Sequence, residues 1–182
     1  KIMKGLIMQY NKATRFVQYV DNFLDEKTLK SLQDNFLQLK YTPRVNEDGL
    51  YGNRHRFDTQ KMKKDPLLDR IKEFFFPYYD LEPTEVAAHL RHNSTKPMVH
   101  TDHKTDCNFL LFVKGEPLLN NGTGFFTDTG QLSSHVGFVE NRAIFFNGAK
   151  IAHTDLQSFG DSSPRYTLNI FYKKAQPKAA GF

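Results

Sequence analysis

The hydrophobic period of this chain changes near residue 80, and that change limits the folds open to it. Upstream, Leu29, Leu32, Phe36 and Leu39 fall on one face of a helix predicted over 26–39, with Asp25 as its N-cap. A second helix is predicted from Asp65-Pro66, a capping residue followed by proline at the first helical position, and it stops before Pro77. The run at 14–20 suits a strand that Asp21-Asn22 ends, and the Gly-, Asn- and charge-rich stretch 41–60 reads as a long loop or irregular hairpin. Downstream, runs of β-formers at 86–92, 109–113, 124–126, 135–139, 143–146 and 166–172 alternate with turn signals such as Asp128-Thr129-Gly130 and Asn147-Gly148. Short strands spaced about 8–12 residues apart predict a β-sandwich or barrel. No repeat and no Pro/Gly-rich linker divides the halves. The expectation is therefore one domain over 1–182 of α+β, mainly β class, in which 1–80 buttresses a β core at 86–172. The tail after Lys174 is expected to be loose.

Composition removes several alternatives. Seventeen Phe and eight Tyr among 182 residues argue against disorder, which goes with few aromatics. No window approaches the roughly 18 apolar residues of a membrane span, so no membrane partner is expected. The N-terminal stretch lacks the apolar core and small-residue cleavage pattern of a signal peptide. The single cysteine, Cys107, cannot form an internal disulfide, which fits a reducing, cytoplasmic location. A net charge of +5 names no partner by itself. Its densest basic run, Lys61, Lys63 and Lys64, is broken at once by Asp65 and reads as a solvated face, so no nucleic-acid partner is expected. P-loop, dinucleotide and nucleophile-elbow signatures are absent, and Cys107 has no base beside it in sequence.

Against this background His100, Asp102 and His153 stand out. In His100-Thr101-Asp102 an extended backbone points the imidazole and the carboxylate to one face. A third ligand from a strand far along the chain closes one triangular face around a metal. Two His and one carboxylate leave three positions open, which suits non-haem Fe(II) binding a cosubstrate and O₂ together. A lone His-x-Asp is common in ordinary turns, so the weight rests on Arg165, 12 residues beyond His153. Arg165 opens the strand RYTLNIFY, where alternation puts Arg165, Thr167, Asn169 and Phe171 on one face. An Arg aimed into a sandwich needs an anion; its fork suits a carboxylate, to which Thr167 adds a hydroxyl donor. The alternative for Arg165 is an ion pair with a local acid such as Asp161. Other histidines are set aside: His103 and His89 alternate away from the pocket, His135 reads as a sheet residue and His55 as a loop residue.

From about Val86 to Tyr172 the chain resembles the Fe(II)/2-oxoglutarate-dependent oxygenases, and among them the prolyl 4-hydroxylase-like group. The matching stretches are AHLRH (88–92), HTD (100–102), FLLFV (109–113), NNGTGFF (120–126), NRAIFFNG (141–148), AH (152–153) and RYTLNIFY (165–172), with FVQYVDNFLDEKTLKSL (16–32) resembling the entry into the fold. The resemblance implies a double-stranded β-helix (jelly roll) with supporting helices. It implies that His100, Asp102 and His153 hold Fe(II), that Arg165 with Thr167 binds the far carboxylate of 2-oxoglutarate, and that O₂ is consumed, with ascorbate as a reductant. Oxidative decarboxylation would yield succinate and CO₂ while an unactivated C–H, on a prolyl or other side chain of a peptide or protein, is hydroxylated. A carboxylate at position 102 favours hydroxylation over halogenation. AlkB-like nucleic-acid demethylases carry a second Arg six residues after the first, a position that is Phe171 here.

The chain departs from the group at one point. The strand before His-x-Asp reads Leu90-Arg91-His92, without the group's cosubstrate-binding Tyr, so either His92 or Arg91 replaces it or the contact is absent. Residues 41–60 are read either as a surface excursion or as a substrate lid, with Tyr51, Arg54 and Arg56 (beside His55) as candidate substrate contacts. Two further readings stay open: an oxygenase acting on a free amino acid or other small molecule, and a non-catalytic cupin-like protein that binds metal structurally or for sensing.

Overall fold

In a computed structural model the chain is described over residues 16–46, 49–77, 80–92, 98–118, 121–155 and 164–174. The tail expected to be loose, Asp161, and the start of the strand at 14–20 lie outside the described residues. After β1 (Val17–Val20), helix α1 (Glu26–Gln38) begins at Asp25 as the sequence predicts. The Asp25 carboxylate accepts the Thr28 N–H at 2.9 Å, satisfying one of the donors a helix start leaves without a partner. A single turn, α2 (Thr59–Met62), precedes α3 (Pro66–Phe75), which starts behind Asp65 with its proline in the first turn.

Of the two readings of 41–60, loop or irregular hairpin, the structure gives the hairpin. Strands β2 (Thr42–Asn46) and β3 (Gly49–Arg56) form a hairpin with a bulge between Arg44 and Val45. Its second strand pairs with β4 (Leu81–Arg91), which starts five residues before the predicted strand. Then follow β5 (Cys107–Lys114), β6 (Thr123–Phe126), β7 (Leu132–Val136), β8 (Ala143–Phe146), β9 (Ala152–Asp155) and β10 (Arg165–Lys174). They build two antiparallel sheets, one in the order β1-β8-β5-β10-β4-β3-β2 and one in the order β7-β6-β9. The fold is thus α+β and dominated by antiparallel sheet. Strand β9, which carries His153, has no counterpart among the predicted strands, and β7 lies three residues before its predicted start.

Two apolar layers form because the central strands are buried on both faces. In β5, Phe109, Leu111 and Val113 face the helices, while Leu110 and Phe112 face the smaller sheet. That division explains why FLLFV is a continuous apolar run rather than an alternating one. The helical side is packed with rings: Phe76 stacks on Phe145 at 5.3 Å and meets Tyr172 edge-on at 5.1 Å. Buried Asn141 ties the β8 entry to the segment leading into α1: its Oδ1 accepts Leu24 N–H at 2.8 Å and its Nδ2 donates to Leu24 O at 2.7 Å. Among the described residues no helix is long and apolar enough to cross a membrane.

Candidate metal centre

Between the sheets, His100, Asp102 and His153 converge, with one ligand atom from each lying within 4.8 Å of the others. His100 sits on the segment after β4 and His153 on β9, and a two-residue antiparallel bridge joins them. His153 N–H donates to His100 O at 2.9 Å, and His100 N–H to His153 O at 3.2 Å. Each imidazole is fixed in the same way: His100 Nδ1 lies 2.7 Å from Met98 O, and His153 Nδ1 lies 3.0 Å from Ile151 O. A carbonyl oxygen only accepts, so both Nδ1 atoms carry the hydrogen and both Nε2 lone pairs are left for a metal. Those Nε2 atoms stand 3.6 Å (His100) and 3.3 Å (His153) from the Asp102 carboxylate oxygens.

The loop that carries Asp102 is held from three sides. Asp102 N–H donates to Gly148 O at 2.8 Å, Thr105 N–H donates to Asp102 O at 3.0 Å, and the carboxylate accepts from Asn108 Nδ2. Asn108 is 5% exposed and in turn accepts from Thr105 Oγ1. A Cβ at Gly148 would lie 2.7 Å from the Asn108 amide carbon, so glycine is required there for close approach rather than for backbone conformation. Burial alone would raise the Asp102 carboxyl, but His153, His100 and Asn108 outweigh it and hold it below the ordinary carboxylate value. Burial and the neighbouring His153 push the His100 imidazole down. Ionised carboxylate and neutral imidazole are the states a divalent cation needs.

Strand β10 projects Arg165, Thr167, Asn169 and Phe171 into an inner chamber of about 70 Å³ that the three metal-type ligands also line. Arg165 is 4% exposed; its Nη1 donates to Gly122 O at 2.8 Å and its Nη2 to Thr123 Oγ1 at 3.1 Å, while Nε has no partner. Among the described residues no carboxylate is within ion-pair distance of it. Burial lowers its pKa to about 10, with the Asp155 charge opposing that shift, so it is a cation at neutral pH. The Phe112 ring lies beneath the guanidinium at 5.1 Å.

The residue that β4 places in this chamber is His89, with Arg91 beside it, and not His92. Register explains the difference. Thr167 pairs with His89 and Arg165 with Arg91, so alternation carries those two side chains to the site face. His92 lies past the strand end, within 3.1 Å of Asn53 Nδ2, and is absent from the lining of both chambers. The expectation that His89 faces away is therefore corrected: the residue is half-buried, lines the chamber, and its Nε2 is enclosed without a partner. Burial, and then the charges of Arg91, Arg54, Arg44 and Arg165, keep it neutral, well below the ordinary histidine value. The Asn108 clamp and Asp155, which binds Arg91 at 3.0 Å, are further site residues that no sequence signal marked.

An outer chamber of about 620 Å³ opens beside His100 and Asp102 and is walled on one side by the β2–β3 hairpin. Of the candidate substrate contacts, Arg54 and Arg56 line it; Tyr51 lies in β3, with its side chain outside the described residues. His103 also lines it but contacts Thr101 and is not one of the three converging ligands.

No family model matches the chain, and no curated protein sequence does either. Among solved structures it is similar to a prolyl-4-hydroxylase from Pseudomonas putida (14% identity, 90% of this chain and 95% of that chain, TM-score 0.63). It is also similar to the α-ketoglutarate-dependent epimerase SnoN in complex with Fe³⁺, α-ketoglutarate and nogalamycin RO (13%, 87% and 79%, TM-score 0.65). A third is HygX from Streptomyces hygroscopicus with nickel, 2-oxoglutarate and hygromycin B bound (10%, 88% and 84%, TM-score 0.64). The chain thus shares the fold of these structures, two antiparallel sheets that resemble a double-stranded β-helix core, and carries a candidate two-histidine, one-carboxylate triad.

Proposed function

We propose that this protein is an Fe(II)- and 2-oxoglutarate-dependent oxygenase that oxidises an unactivated C–H of a small molecule. The observation that carries the reading is the buried Arg165 cation, with no described carboxylate beside it, in a chamber it shares with the His100, Asp102 and His153 ligand atoms. A guanidinium without an ion-pair partner is costly to bury, and the distal carboxylate of 2-oxoglutarate would supply one. The donor set fits Fe(II): two neutral imidazole nitrogens and a carboxylate, with no thiolate. When bound, iron with 2-oxoglutarate and O₂ supplies the oxidising power, releasing succinate and CO₂.

The chain's own part is to hold and orient. Nδ1–H bonds to Met98 O and Ile151 O keep both Nε2 lone pairs aimed at the metal, and Asn108 holds one Asp102 oxygen in place. Arg165 neutralises the cosubstrate's far end. Asn169 Nδ2 donates to Thr167 Oγ1, so the Thr167 hydroxyl proton remains to donate to the same carboxylate. His89, neutral and with Nε2 unpartnered, adds a contact where the related hydroxylases use a Tyr.

A chamber of about 620 Å³ lies within the roughly 300–1,000 Å³ of small-ligand sites, which supports a small-molecule substrate. The similar SnoN and HygX structures, with nogalamycin RO and hygromycin B bound, support the same reading. The prolyl reading draws on the likeness to the Pseudomonas putida enzyme and to a Trichoplax adhaerens prolyl hydroxylase in complex with a peptide. Anaerobic addition of Fe(II) and 2-oxoglutarate should give a visible charge-transfer band, and O₂ should then yield succinate. Metal binding with neither signal would leave the cupin-like reading in its place.

A further inference from the structure

We infer that the outer chamber selects an anionic small molecule, one carrying a phosphate or carboxylate group away from the carbon that reacts. The inference rests on the oxygenase reading and adds the substrate's charge to it.

Cations dominate the chamber wall. Arg44, Arg54 and Arg56 come from the β2–β3 hairpin, Arg91 from β4, Lys104 from the loop after Asp102, and Lys173 from β10. Apart from Asp102, the only acid among the described lining residues is Glu85. Among the described residues, one Glu85 oxygen serves two guanidinium groups, Arg54 at 2.7 Å and Arg56 at 3.3 Å, one negative charge against two positive ones. Arg91 is matched by Asp155, which leaves Lys104 and Lys173 to add to the excess. Loading the inner chamber does not remove it: a divalent metal and a doubly charged 2-oxoglutarate cancel one another.

The same field is felt at His89, which lines both chambers. The charges of Arg91, Arg54, Arg44 and Arg165 all disfavour its protonation. Arginine forks bind phosphate and carboxylate alike, and a low-dielectric wall concentrates the field. The hairpin that supplies three of the arginines is locked to β4 by its ladder, with Arg54 in register with His89 and Arg56 with Ala87. The charges are thus preorganised on sheet. The chamber's volume of about 620 Å³ favours a small molecule over a polymer, which would need a longer basic track.

The test uses protein loaded with Ni(II) and saturated with 2-oxoglutarate, so that Arg165 is engaged and no turnover occurs. Calorimetric titration compares probe pairs that differ in charge: glucose 6-phosphate with glucose, glycerol 3-phosphate with glycerol, and tricarballylate with its triamide. At least one anion should bind ten-fold or more tighter than its neutral partner. That preference should shrink between 50 and 500 mM KCl. Arg56→Glu and Lys104→Glu should abolish it while 2-oxoglutarate affinity stays within two-fold; Arg56→Gln and Lys104→Gln, milder changes, should weaken it. Equal binding within every pair, or tighter binding of an acidic octapeptide or an oligonucleotide than of any small anion, would overturn the inference. Failure of 2-oxoglutarate itself to bind the Ni(II) protein would instead strike the oxygenase reading on which it rests.

Discussion

His100 and His153, 53 residues apart, exchange both backbone hydrogen bonds, and each donates its Nδ1–H to the carbonyl two residues before it. The two imidazoles are therefore copies of one local geometry, locked in register by the bridge. Neither ligand can shift without breaking a bond to the other. Replacing His153 by Ala removes one Nε2 donor but leaves the backbone bridge, so the fold should survive while Ni(II) affinity falls by at least about 100-fold, measured by calorimetry. Retention of tight Ni(II) binding would remove His153 from the centre.

Asn108 and Gly148 test the support of the carboxylate. Asn108→Leu should weaken metal binding about 10–100-fold, the range for partners of metal ligands. Gly148→Ala drives a methyl group into the Asn108 amide and should cost about 1–3 kcal/mol in urea unfolding, with the metal weakened as well. If Gly148→Ala matched the parent in both measurements, the close approach would not matter.

Arg165→Met should separate cosubstrate from metal. Truncating one side of a buried charged pair costs about 2–5 kcal/mol, which is about 30-fold or more in 2-oxoglutarate affinity. Ni(II) affinity, which depends on other side chains, should be unchanged. Equal loss of both would mean that Arg165 supports the fold rather than the ligand.

His89 predicts a pH dependence of stability in the metal-free protein. Its folded pKa lies well below 6.5, so on acidification the unfolded chain takes up the proton first. Stability is then present above about pH 6.5, the unfolded value, and is lost as pH falls toward the folded value. His100, shifted the same way, contributes with the same sign. Urea midpoints between pH 5 and 8 should rise with pH, and His89→Phe should flatten the slope; an unchanged slope would show that His89 is solvated.

Asn141 joins the helical half to the sheet. Asn141→Ala leaves the N–H and C=O of Leu24 without their partners and gives up a side chain suited to a backbone φ of 65°. A loss of about 2–4 kcal/mol in urea unfolding is expected. A loss below about 1 kcal/mol would mean that water replaces both bonds.

The helices were legible because their signals are local: Asp25 and Asp65-Pro66 sit where caps must sit, and the apolar spacing of 26–39 is helical. The alternation of RYTLNIFY likewise assigned Arg165 and Thr167 to one face without reference to any partner strand. Strand β9 was not legible, and β2 and β3 were legible only as one of two readings of 41–60, because their stability comes from neighbours that supply hydrogen bonds rather than from apolar runs of their own. Within β4, alternation groups His89 with Arg91 and Leu90 with His92, but only pairing of His89 with Thr167 says which pair enters the chamber. By itself, then, the sequence determined which groups could serve a metal and an anion, since residue type and local spacing fix donor chemistry. Tertiary structure alone decided their convergence, the side on which His89 lies and the cationic wall of the hairpin, because strand register is a long-range property that one chain segment cannot encode.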